Sequence, residues 1–139
     1  MATADELRTK IEANRQALKE AIEAASAKWE QVAGEEWSPR KIAEHAIGAE
    51  RAFAGMVARA MQGNPPERKE LALSSSGDAL AALDSAAADF TKVVRYVEDR
   101  DLAKSAEVGG PYANSIEGAL QLSGDHLADH AQHIRKVSA

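Results

Sequence analysis

Along the chain, apolar residues return at steps of three and four in four stretches separated by polar, glycine- or proline-bearing breaks, and each stretch predicts an amphipathic helix. The first, residues 4–28, lines up Leu7, Ile11, Leu18, Ile22 and Ala25, with Glu and Lys on the opposite face. Asn14 falls on the apolar side, where a polar residue fixes the register of a helix seam or else lines a pocket. In "WEQVAGEEWSPRK" Gly34 interrupts the pattern, and Ser38-Pro39 reads as an N-cap followed by proline in the first helical position. The second helix carries Ile42, Ala46, Ala49, Phe53, Met56, Val57 and Ala60 and stops at "QGNPPE", where Gly63 and two prolines oppose continuation. After the polar loop "RKELALSSSGD" a third helix, capped by Ser76 or Asp78, repeats Leu80, Leu83, Ala87, Phe90, Val94 and Val97 at the spacing of a shallow packing seam. Beyond "VGGPYANS" the fourth helix stripes Ile116, Leu120, Leu127, Ile134 and Val137.

These elements predict an all-α fold, a four-helix bundle forming one domain over residues 1–139. The segment between the second and third helices is longer than the turn of an up-down hairpin, so a long crossover connection is expected. Gly118 and Gly124 weaken the last helix by about 1 kcal/mol each relative to Ala. Glycine inside a packed helix marks close approach of a neighbour or a ligand, and Gly124, just before the histidine cluster, is a place where a ligand could gain room.

Charge and composition narrow the partners. Seventeen Lys and Arg against twenty-two Asp and Glu give a net charge of −5, so no basic field exists to gather nucleic acid. The N-terminal "MATADELRTK" lacks the apolar run of a signal peptide, and no stretch approaches the roughly 20 apolar residues of a membrane span, so a soluble, cytoplasmic protein without a membrane partner is expected. The absence of cysteine removes disulfides, thiolate ligands and cysteine nucleophiles together. Any bound metal must rest on histidine and carboxylate.

Three of the four histidines lie in "GDHLADHAQHI". At about 100° per residue, His126 and His130 stand about 40° apart and one turn along a helix, close enough to share an ion, whereas His126 and His133 are two turns, roughly 10 Å, apart. The pair alone does not close a site, because Zn²⁺ or Ni²⁺ needs a third ligand from elsewhere. His45 shares a side of the second helix with Ile42, Ala49 and Met56 and is expected to point inward, toward the pair if the two helices are neighbours. The alternative is a set of hydrogen-bonded core histidines, since HxxxH without HExxH is a weak motif. His133 reads as a surface residue favoured by the helix C-terminus.

The segments "EEWSPRKIAEHAIGAERAF" and "HLADHAQHI" resemble the DinB/YfiT-like proteins, a superfamily distinct from the DNA polymerase that shares the name. The resemblance implies a four-helix bundle with long connections, commonly a homodimer, in which His45, His126 and His130 ligate a divalent ion, zinc or nickel. It further implies a metalloenzyme acting on a small-molecule substrate, either a transferase or isomerase that uses a low-molecular-weight bacterial thiol as cosubstrate or a metal-dependent hydrolase. A non-catalytic metal- or ligand-binding bundle is the alternative. Where many members carry a second histidine inside the HxxxH and a Gln beyond it, this chain has Asp129 and His133. Asp129 or Glu44 could orient an imidazole through its second nitrogen, and Arg40, Arg51 and Arg135 could supply charge to an anionic substrate.

Overall fold

The computed structural model describes residues 2–32 and 34–139, and among them the regular structure is helical. Four α-helices, α1 (Ala4–Ala24), α2 (Pro39–Ala60), α3 (Ser76–Val94) and α4 (Ile116–Ser138), account for most of the chain. Two 3₁₀ turns, Ser26–Lys28 and Asp99–Asp101, sit in the connections. No helix among the described residues is long and apolar enough to cross a membrane.

Each helix begins where a hydroxyl can serve its unpaired N–H groups. Thr3, Ser38, Ser75 and Ser115 each accept a hydrogen bond from the backbone N–H three residues on. The cap of α3 is therefore Ser75 rather than the expected Ser76 or Asp78. Asp78 instead donates its own N–H to Ser75 and adds an acidic charge to the first turn. At the other end of α2 the left-handed residue is Gln62, with φ 60°, rather than Gly63, whose N–H closes the helix on the Ala58 carbonyl at 2.8 Å. The first helix also ends earlier than its periodicity suggested. At Ala25 the N–H is shared between the Ala21 and Ile22 carbonyls, and the chain tightens into a 3₁₀ turn that delivers Trp29 to the core.

The four helices form a square in which α1 packs on α4 and α3, and α2 on α3 and α4. Contacts fix their directions. Lys10 meets Asp125 and Lys28 meets the Ala139 carbonyl, so α1 and α4 run parallel. Arg8 reaches Val94 while Lys19 reaches Asp84, so α1 and α3 are antiparallel. With α2 parallel to α3, the connection over residues 61–75 must return the length of the bundle, which is the expected crossover. Its anchor is buried Leu73, whose carbonyl accepts from the Trp29 indole at 2.7 Å and whose N–H donates to Glu44 at 3.1 Å. Both backbone polar groups of a buried loop residue are thereby satisfied.

The predicted stripes of α1 and α4 are buried throughout, as are Ile42, Ala46, Phe53 and Val57 of α2 and Leu83, Phe90 and Val94 of α3. Asn14 lies at the α1–α4 seam, where its amide donates to the Gly124 carbonyl at 2.9 Å. Gly124 thus faces α1: a Cβ there would meet Ile11, Asn14 and Lys10 at 3.6–3.8 Å, so the close approach is to a helix and leaves no room for a ligand. At Gly118 the approach is closer still, with a Cβ placed 1.9 Å from the Ala113 carbonyl oxygen. The core also encloses an ion pair between Arg15 of α1 and Glu50 of α2, helices on opposite corners of the square. Burial raises the Glu50 carboxyl above its ordinary range even though Arg15 opposes the shift.

Candidate metal centre

Because α2 and α4 run antiparallel, a histidine early in α2 meets the later half of α4. The rings of His45, His126 and His130 come together, with centroids 5.3 Å (His45–His126), 4.9 Å (His45–His130) and 4.1 Å (His126–His130) apart. One nitrogen from each ring lies within 4.8 Å of the others, an arrangement that could hold a metal ion. Phe53, two turns along α2 from His45, closes the inner side with its ring edge-on to His126 at 5.2 Å.

The expected inward orientation of His45 needs correction: the residue is exposed. The core face of α2 is carried by Ile42, Ala43, Ala46, Ile47 and Glu50, and His45 lies at the edge of that stripe, next to α4 and open to solvent on its other side. Trp37 stands edge-on to it at 5.5 Å, and the Lys41 ammonium lies 4.8 Å over the Trp37 ring. The "EEWSPRK" stretch thus supplies a wall of the site as well as a helix cap.

Electrostatics keep the α4 pair neutral. Burial lowers the His126 value, with the charge of His45 as a smaller cause. For His130 burial is again the largest cause, followed by the neighbouring histidines, and the value falls to about 4. Neutral imidazoles are the form that binds a metal. The two Nε2 atoms lie 2.9 Å apart, and Nδ1 of His130 is buried without a hydrogen-bond partner. In a tetrahedral site with metal–nitrogen bonds of about 2.0–2.1 Å the ligand nitrogens stand roughly 3.3 Å apart, so the His126–His130 pair is within a few tenths of an ångström of that spacing, and the exposed His45 ring, whose nitrogen lies within 4.8 Å of theirs, has room to adjust. Three nitrogen donors, no thiolate and an open side fit a divalent cation such as Zn²⁺ or Ni²⁺ that retains a free coordination position.

The neighbouring polar residues serve other purposes than expected. Glu44 accepts from Arg40 and from the Leu73 N–H, so it tethers the crossover rather than orienting an imidazole. Asp129 is exposed, with no hydrogen bond to a histidine among the described residues. His133 is half-buried and pairs with Glu36 at 2.8 Å, which, with Lys136, holds the Glu36 carboxyl below its usual range. Arg51 is buried against Asp89 and Ser85, and Arg40 is spent on Glu30 and Glu44. Arg135 is exposed near the end of α4.

A cavity of about 510 Å³ opens over the cluster, lined by Glu35, Glu36, Trp37, His45, His130 and His133. His133 therefore shares a cavity with two members of the triad although its own nitrogen is not among them. Glu36 and Trp37 belong to the "EEWSPRK" segment that carries the family resemblance, but no helical period placed them at the site. Their position follows from the connection folding back against the end of α4.

Comparison with curated proteins and with solved structures returns no match. The family model described as the DinB superfamily matches residues 3–134, nearly the whole chain, including all three histidines of the cluster. The chain belongs to the DinB superfamily.

Proposed function

We propose that this DinB-superfamily protein is a metal-dependent enzyme acting on a small-molecule substrate, with His45, His126 and His130 as ligands of a divalent ion, zinc or nickel. The observation that carries the reading is the convergence of three imidazoles, His126 and His130 held neutral and His45 and His130 lining an open cavity. When bound, such an ion supplies Lewis acidity toward an oxygen or stabilises a thiolate.

The rest is the work of the chain's own side chains. His126 and His130 are spaced by one turn of a rigid helix, so their relative positions are set by the backbone before any ligand arrives. Phe53 excludes water from the inner side. The His133–Glu36 pair lies on the wall of the same cavity; with Nε2–H of His133 donating to the Glu36 carboxylate, Nδ1 is the ring nitrogen left to accept or return a proton, an acid–base role suited to activating a thiol or water. With no cysteine in the chain, a thiol nucleophile would come from a low-molecular-weight cosubstrate. What the family resemblance implies, and what we propose, is an S-transfer or isomerisation, with hydrolysis as the neighbouring chemistry, in a cytoplasmic homodimer.

The test is turnover by zinc- or nickel-reconstituted protein, freed of any affinity tag, against electrophiles with a panel of bacterial thiols and, separately, with water. Turnover lost in His126→Ala and reduced in His133→Ala supports the proposal. Tight metal binding without turnover of any pair would replace it with a non-catalytic metal-binding role. Equal metal content in wild type, His45→Ala and His126→Ala would sink the site itself.

A further inference from the structure

A second and larger cavity lies on the outer side of α2, between that helix and the returning crossover. Its volume is about 1040 Å³, at the upper end of the range of small-molecule sites. Gly48, Ala52 and Gly55 make its floor, and Pro65 and Leu71 of the crossover form part of its far wall. At Gly55 a Cβ would lie 3.4 Å from the Arg59 guanidinium and 3.6 Å from Pro65, so the arginine folds back over the glycine along this groove.

The charges around the groove are unbalanced. Lys41, Arg59, Arg68 and Lys69 line it, and among the described residues none of them forms an ion pair. Arg51 also lines it but is committed to Asp89 and Ser85. Of the two lining carboxylates, Glu44 is occupied by Arg40 and the Leu73 N–H, which leaves Glu70. Four cations outside any ion pair, one of them (Lys41) over the Trp37 ring, against one uncommitted carboxylate, in a chain whose net charge is −5, concentrate positive potential in one concave place. Trp37 and His45 line both this groove and the smaller cavity over the histidine cluster, so the two adjoin at that pair.

We infer that the groove between α2 and the 61–75 crossover binds the anionic part of an extended organic molecule, a carboxylate or phosphate ester with an apolar body, and directs its other end past Trp37 toward the histidines. The apolar body lies on the small-residue floor, and the anion is held by Arg59, Arg68 and Lys69. The direction of the reactive end rests on the proposed metal site. Binding of the anion does not, and the two are separable by experiment.

Phenyl phosphate and 4-phenylbutyrate, with 4-phenylbutylamine as the charge-reversed control, are titrated into the full chain and followed by amide chemical shifts and calorimetry. Both anions, or one of them, should bind and perturb Gly48, Ala52 and residues 65–71, with affinity falling as salt is raised, while the amine does not bind there. A preference between the anions names the group the site takes. The Arg68→Ala/Lys69→Ala double variant changes only exposed loop positions and should weaken anion binding roughly fivefold, the loss of two solvent-screened charges. Gly48→Leu, at a position where a Cβ meets nothing within 4 Å, should fill the floor and abolish binding in a folded protein.

His126→Ala serves as the separating control. It should lose metal and keep the anion; if the metal-site reading were wrong, metal content would be unchanged and the anion would still bind. The inference is overturned if anions and amine bind alike, if neither anion binds, or if the loop and floor variants bind as wild type.

Discussion

Metal-free protein should lose stability on mild acidification because His130 is held neutral. Its value in the folded chain is about 4, depressed first by burial and then by the charges of its histidine neighbours. In the unfolded chain the imidazole returns to an ordinary value of about 6.5. Above that value both states are neutral and the group has no effect on stability. As pH falls below it the unfolded state takes up the proton first, so stability declines and continues to do so until the folded pKa is passed. From pH 7 to pH 5 this amounts to about 2 kcal/mol by linkage, reduced to about 1 kcal/mol because the half-exposed ring is screened by solvent. Glu50 acts with the opposite sign, since its raised carboxyl value favours the folded state as pH falls. The measurement is therefore a difference: urea unfolding of wild type and His130→Gln in the presence of chelator at half-unit steps from pH 7.5 to 4.5. Wild type should lose about 1 kcal/mol more than the variant across that window. Parallel curves would refute the claim that the fold keeps this imidazole uncharged.

Other outcomes follow from the same structure. Zinc at a hundred times its dissociation constant should stabilise wild type by about 2.7 kcal/mol, a rise of roughly 9 °C in Tm for a chain of this length. Calorimetry should show that rise lost in His126→Ala and kept in His133→Ala, whose nitrogen is not part of the triad. Gly118→Ala places a methyl 1.9 Å from the Ala113 carbonyl, and denaturant unfolding should report a loss of about 1–3 kcal/mol or more, while Gly48→Ala, with open space around its Cβ, should gain about 0.5–1 kcal/mol. Arg15→Ala leaves the Glu50 carboxylate buried without its partner and should cost about 3–5 kcal/mol, most of it recovered in an Arg15→Met/Glu50→Leu double variant. A cost under 1 kcal/mol for the single variant would mean that Glu50 is already protonated in the core.

The candidate site was legible in the parts that follow helical period and family pattern. The one-turn spacing of His126 and His130 depends on backbone geometry that every α-helix shares, so it could be read without knowing the neighbours. Helical placement brought His45 toward the pair if the two helices were neighbours, and the resemblance in "EEWSPRKIAEHAIGAERAF" assigned it as a ligand. Its exposure is not legible from the apolar line through Ile42, Ala49 and Met56, because Ala49 and Met56 are partly exposed and the buried face of α2 runs through Ala43, Ile47 and Glu50. A buried glutamate disguised the true face: its partner Arg15 is on another helix, and no local pattern announces that pairing.

Helix number, their approximate limits, the crossover and the sulfur-free donor set were all consequences of local rules: period, capping chemistry, chain-breaking residues and the lack of cysteine. Contacts between residues distant in the chain were decided by packing. The antiparallel register of α2 on α4 brings His45 to the α4 pair, α1 rather than a ligand takes up the space at Gly124, and the return of the crossover past α2 gathers four unpaired cations around one groove. The physical reason is the range of the forces involved. Hydrogen bonds and torsional preferences act over a turn or two of chain and leave their mark in sequence, whereas the burial of a face is indifferent to which distant segment covers it until all the helices compete for the same core.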